Sequence, residues 1–121
     1  MPKVLIVEDE PNIAESLRFL MTREGFDVTL EQNGANAVIK VDEHGPFDVV
    51  VLDVMLPNRN GFDILRDLRQ GNHASLPVLM LTAKGQAQDR RTAQDLGVSI
   101  FMTKPFSNGD VVEAVKRLAA G

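Results

Sequence analysis

The sequence predicts an α/β fold in which five parallel strands form one sheet with helices on both faces, a doubly wound (βα)5 arrangement. Short apolar runs alternate five times with stretches of helical spacing, and such repetition implies right-handed crossovers between parallel strands. Four of the runs are continuous rather than alternating, as expected for strands covered on both faces. The 121 residues, 44% hydrophobic and 25% charged, match one domain spanning 1–121 with enough apolar material for a real core.

Val4-Leu5-Ile6-Val7 supplies the first strand. From Pro11 to Glu24, Ile13, Leu17, Leu20 and Met21 form one stripe at helical spacing. Pro11 suits the first turn, where its missing N–H is harmless, and Gly25 suits the stop. The segment Phe26–Leu30 alternates, which predicts an edge strand. Asn33 caps a second helix from Gly34 to about Glu43. Val49-Val50-Val51-Leu52 is the third strand, followed by a helix from Gly61 to Gln70 with Phe62, Leu65 and Leu68 inward. Val78-Leu79-Met80-Leu81 is the fourth. The helix from Gly85 to Leu96 has little apolar content beyond Ala87, Ala93 and Leu96, so it is expected to be the least firmly docked element and the easiest to move. Ile100-Phe101-Met102 completes the sheet. Ser107, with Asp110 three residues on, caps a last helix that buries Val111, Val112, Val115 and Leu118. His44 and His73 read as exposed loop spacers, Arg90-Arg91 as a solvated pair and the five methionines as core filler.

Composition excludes several functions. Without cysteine there is no disulfide framework, thiolate zinc site or thiol nucleophile. Met1-Pro2-Lys3 runs straight into a strand with no targeting pattern, and no apolar stretch approaches the ~20 residues that span a bilayer. A net charge of −4 disfavours direct nucleic-acid binding and suits solubility, so a cytoplasmic address without membrane attachment is expected. No internal repeat, low-complexity tract or linker is present, and any output module is expected elsewhere.

The strand ends carry the chemistry. Glu8-Asp9 follows the first strand, Asp53 the third, Thr82 the fourth and Thr103-Lys104-Pro105 the fifth. In a parallel sheet all face the carboxyl edge, where such folds bind ligands. Any one of these residues has an ordinary explanation as a cap or a solvated charge; their coincidence on four strands does not. Three carboxylates together repel unless a proton or cation joins them. An oxygen-only donor set suits magnesium, while the absence of histidine and cysteine disfavours zinc. Thr82 and Lys104 opposite the acids are donors for an anion, a layout suited to phosphoryl transfer onto a carboxylate.

Val7-Glu8-Asp9-Glu10, Leu52-Asp53-Val54-Met55-Leu56-Pro57, Leu81-Thr82-Ala83 and Thr103-Lys104-Pro105-Phe106 resemble the signature blocks of response-regulator receiver domains, with Gly61 and Phe101 at two further family positions. The resemblance covers the whole chain. It implies a flavodoxin-like sheet of order 2-1-3-4-5 and a phosphorylation-activated switch of two-component signalling. It further implies that Asp53 is the phosphoacceptor, taking the group from a histidine kinase or histidine phosphotransfer protein. Mg2+ is then expected on Glu8, Asp9, Asp53 and the Met55 backbone carbonyl. Thr82 and Lys104 are expected to bind phosphoryl oxygens, across a cis Lys104-Pro105 bond. Thr82 and Phe101 form the expected switch, the ring turning inward as Thr82 moves toward the phosphoryl group. The changed surface around the fourth helix, fifth strand and last helix is expected to act on an output protein or a fused output domain. Such a protein is no turnover enzyme, catalysing only its own phosphorylation and dephosphorylation.

Glu8 replaces the commoner Asp of the family, and Asn60 stands where many receivers have Asp. Asp89 and Arg90 fit the winged-helix transcription-factor branch, but Ile100 and Ala114 replace charged residues of its dimer network, which puts dimerisation through that face in doubt. Met55 and Lys84 occupy positions that tune dephosphorylation; apolar Met55 gives water no hydrogen-bonding help, so a long-lived acyl phosphate is expected. A flavodoxin-like electron carrier is disfavoured because Glu8-Asp9-Glu10 would repel a flavin phosphate and no Trp or Tyr can stack on the ring. A haloacid-dehalogenase-type phosphatase needs an acid where Met55 sits. A phosphorylation-independent pseudo-receiver scaffold usually lacks one of the acids or the lysine, all of which are kept here.

Overall fold

The computed structural model describes residues 1–83 and 87–121. Five strands, β1 (Lys3–Val7), β2 (Asp27–Glu31), β3 (Val49–Asp53), β4 (Val78–Thr82) and β5 (Ile100–Thr103), alternate with helices α1 (Pro11–Arg23), α2 (Ala37–His44), α3 (Gly61–Gln70), α4 (Ala87–Asp95) and α5 (Asn108–Ala119). The strands pair in parallel in the order β2-β1-β3-β4-β5, so all carboxyl ends lie along one edge. The expected helix start at Gly85 and the role expected of Lys84 lie outside the described residues.

Alternation within the apolar strands divides them between two cores. Val4, Ile6, Val49, Val51, Leu79 and Leu81 meet Leu17, Leu20 and Met21 of α1 and Val111, Ala114 and Val115 of α5. Leu5, Val50, Leu52 and Met80 face the other way, onto Val41 of α2, Ile64, Leu65 and Leu68 of α3, and Ala93 of α4. β1, β3 and β4 thus bury both faces, which is why their runs read as continuous. Fully burying one such side chain contributes about 1.5–3 kcal/mol. α4 contributes only Ala93 to the buried set, as its composition foretold.

Local chemistry sets the element ends. α1 stops in a Schellman turn: Phe26 N–H reaches Met21 O at 3.0 Å, Gly25 N–H reaches Thr22 O at 3.0 Å, and Gly25 takes φ 92°. The Asn60 side chain caps α3 by accepting from Asp63 N–H, and Ser107 caps α5 by accepting from Asp110 N–H, each at 3.0 Å. The second helix departs from expectation. Asn33 does cap the segment, but Gly34–Asn36 forms a 3-10 turn and the α-helix starts at Ala37. The tighter turn is set by Asn36 N–H bonding to Asn33 O at 3.0 Å, while Gly34 presses against the next loop.

Four sequence readings need correction. Ile100-Phe101-Met102 is continuous yet forms an edge strand, with Ile100 and Met102 only partly buried. His73 is no exposed spacer: its Nε2 lies 2.6 Å from Asp42 Oδ1 and it is partly buried, which ties the turn after α3 to α2. His44 is exposed, but it ends α2 rather than lying in a loop. Met21 and Met80 are core residues, whereas Met1 and Met55 are exposed.

Candidate functional site

Where β1 ends, Glu8 turns inward and Asp9 outward. The Glu8 backbone N–H bonds to Glu31 O at 3.0 Å, extending the β1–β2 ladder by one rung and fixing the side chain's direction. Glu8 is buried, and its Oε2 accepts from Glu10 N–H at 3.1 Å. Asp9 is exposed. Asp53, the last residue of β3, is also buried, and its Oδ1 accepts from Met55 N–H at 3.3 Å. Carboxylate oxygens of Glu8, Asp9 and Asp53 all lie within 4.8 Å of one another.

Lys104 arrives from the opposite side. Its backbone N–H bonds to Thr82 O at 2.7 Å, which continues the β4–β5 ladder past the last strand residue. The Lys104–Pro105 bond is cis, as expected, and a second cis bond, Gly45–Pro46, was not foreseen. Lys104 Nζ sits between the two buried acids, 3.1 Å from Glu8 Oε1 and 3.2 Å from Asp53 Oδ2. Thr82 is buried at the end of β4, one residue beyond Leu81, the register partner of Asp53. The structure therefore gathers Glu8, Asp9, Asp53, Thr82 and Lys104 at one edge. Met55 joins them through its backbone, with its side chain exposed.

Three carboxylates against one ammonium leave the cluster with an excess of negative charge. Burial pushes the Glu8 carboxyl up to about 7, and the adjoining Asp53 carboxyl adds to the rise against the opposing Glu10 N–H and Lys104. Burial works against the Lys104 ammonium too, but the Asp53 charge and the Glu8 contacts outweigh it and hold its pKa above the ordinary lysine value. A hard dication would remove the mutual repulsion that favours a proton on Glu8. The oxygen-only donor set therefore fits magnesium on charge and ligand type.

Two glycine contacts shape the loop after Asp53. A Cβ on Gly61 would stand 2.3 Å from Asp53 O and 2.9 Å from Val54 Cα, and Gly61 N–H bonds to Val54 O at 2.8 Å. A Cβ on Gly34 would stand 2.2 Å from Arg59 O. Beside it, Asn58, at φ 70°, donates from Nδ2 to Asn33 Oδ1 at 3.0 Å. Sequence reading treated Asn33 as a cap alone and missed this cross-link; the Asn-Gly pair facing a Pro-Asn loop was its only trace. Phe101, expected to turn inward on activation, is buried, and the Arg90 guanidinium lies 5.0 Å from its ring centroid. Arg90 is thus not simply solvated. A cavity of about 530 Å3 lies at the opposite edge of the sheet, lined by Phe47, Asp48, His73, Pro77 and Leu118, remote from these groups.

The family model for the response regulator receiver domain matches residues 4–116. The chain belongs to that family. Solved receivers share its architecture throughout. The receiver domain of a Francisella response regulator is 29% identical with a TM-score of 0.93, over 99% of this chain and 98% of that one. The chemotaxis protein CheY4 of Vibrio cholerae is 27% identical with a TM-score of 0.89, over 98% of each. The receiver domain of a sensor histidine kinase from Pseudomonas aeruginosa PAO1, described with a magnesium ion coordinated in its active site cleft, is 26% identical with a TM-score of 0.89, over 99% of this chain and 98% of that one. The flavodoxin-like order 2-1-3-4-5 is therefore both seen directly and shared with these receivers. No helix among the described residues is long and apolar enough to cross a membrane.

Proposed function

We propose that this receiver domain is switched by a phosphoryl group carried on Asp53. The observation that carries the reading is the Lys104 ammonium held between Glu8 and Asp53, with a third carboxylate, Asp9, in reach of the same point. Asp53 Oδ2, the oxygen facing Lys104, is the nucleophile. It attacks the phosphorus of a phosphohistidine on a histidine kinase or phosphotransfer protein. The P–N bond breaks, an acyl phosphate O–P bond forms, and the departing imidazole keeps the electron pair and takes a proton.

Glu8, Asp9, Asp53 and the Met55 carbonyl would hold Mg2+, which when bound supplies charge neutralisation for the phosphoryl oxygens. Lys104 then exchanges its carboxylate partners for a phosphoryl oxygen, and the Thr82 hydroxyl donates to another. With Thr82 buried and Lys104 partly buried at the ends of adjacent strands, these donors need little rearrangement when charge develops. Exposed Met55 presents a thioether at the rim, so no side chain there activates water, which favours a slowly hydrolysed acyl phosphate. The chain turns over no separate substrate. Its output is the surface of α4, β5 and α5, read by a downstream protein or a fused output domain.

Incubation with magnesium and a small phosphodonor, read by intact mass, tests this reading. One added phosphoryl group that requires magnesium and is lost in Asp53→Asn is expected. An adduct that persists in Asp53→Asn would remove Asp53 as acceptor.

A further inference from the structure

α4 is held to the domain at two places of different kind. Its C-terminal end is fixed by a Schellman turn, with Val98 N–H on Ala93 O at 3.0 Å and Gly97 N–H on Gln94 O at 3.1 Å. Arg69 of α3 reinforces that end by donating from Nε to Gly97 O at 2.9 Å. Toward the other end, the contact with the sheet edge is made by Arg90. Its guanidinium lies over the Phe101 ring, 5.0 Å from the centroid, and its Nη1 is 3.5 Å from the Phe101 carbonyl oxygen.

Among the described residues no carboxylate forms an ion pair with Arg90. Phe101 lies in the cluster with Met80 and Ala93, so one ring face meets the core and the cation covers the ring from outside. A planar cation over an aromatic face is attracted by the ring quadrupole. Because Arg90 holds both the ring and the carbonyl of one residue, the ring cannot swing outward without displacing the arginine.

We propose that Arg90 is a positioning residue that holds Phe101 inward, so that ring and α4 move as one unit. This rests on the reading of Phe101 as the switch aromatic only for its consequence, not for the contact itself. Any motion of the Phe101 ring is then passed to α4 through Arg90, and any shift of α4 to the ring.

Ring-13C phenylalanine gives six labelled sites, and the Phe101 signal is assigned by its loss in Phe101→Leu. The readout is the relaxation of that signal by a soluble paramagnetic reagent in unphosphorylated protein. Arg90→Ala and Arg90→Met are expected to raise it by roughly two- to fivefold, the range set by an exposed cation–π contact. Arg90→Lys, which keeps the charge, is expected to stay near wild type. Unmoved signals from the other phenylalanines establish that each variant is folded. Protection in Arg90→Met equal to wild type, or no change in Arg90→Ala, would overturn the proposal. Phosphorylating Arg90→Ala separates the two ideas: renewed protection supports Phe101 as a switch, whereas continued exposure defeats that role and leaves the Arg90 contact standing.

Discussion

Raising the pH should weaken the metal-free domain, and Glu8 sets the window. Its carboxyl is raised from 4.5 to about 7, chiefly by burial. Between those values the folded state holds a proton that the unfolded chain has released, so stability falls as pH rises. The Glu8 contribution is fully present below about 4.5 and lost as pH passes through 7. A shift of roughly 2.5 units corresponds to about 3 kcal/mol. Lys104, also raised, titrates above the ordinary lysine range and does not enter this window. The assay is urea unfolding with a chelator present, followed by circular dichroism because the chain has no Trp or Tyr. Wild type and Glu8→Gln are compared from pH 4.5 to 8.5, and taking their difference cancels shared groups that do not touch Glu8. Wild type should lose about 3 kcal/mol relative to the variant, and magnesium should restore much of it above pH 7. Parallel curves for the two proteins would refute the argument, because the proton would then not reside on Glu8.

Gly61→Ala should place a methyl against Asp53 O, lowering stability by about 1–3 kcal/mol in urea melts and slowing phosphoryl uptake from a small donor. Leu65→Ala, in the fully buried centre of α3, should cost about 2–5 kcal/mol by the same melts while leaving magnesium affinity measured by calorimetry unchanged. Ser107→Ala removes the bond to Asp110 N–H and should cost about 1 kcal/mol, with exchange of the first α5 amides accelerating before the rest of the helix.

Most of the frame was legible because its signals are local. Continuous runs such as Val49–Leu52 announced two-sided burial, Gly25 marked a helix stop, and Ser107 marked a start. The acids and lysine were legible because parallel topology sends every strand end to one edge. What escaped involves partners distant in sequence. Nothing near Asn33 says that Asn58 will bond to it, and nothing near Arg90 says that its charge will cover Phe101. His73 failed for the same reason, since its partner Asp42 lies on another helix. The edge position of β5 was hidden because Ile100 and Met102 are apolar yet covered on one side only, by the core toward α5.

The tie between Arg69 and Gly97 has a mechanical consequence. With its C-terminal end fastened and only Ala93 buried, α4 is built as a lever with its fulcrum beside α3. Nine residues at ~1.5 Å each give an arm of about 13.5 Å. A tilt of about 10° would then carry the N-terminal end about 2 Å, enough to change which side chains an incoming surface meets, while the fulcrum stays still. The arm thereby magnifies a small displacement at the sheet edge into one that a partner can feel.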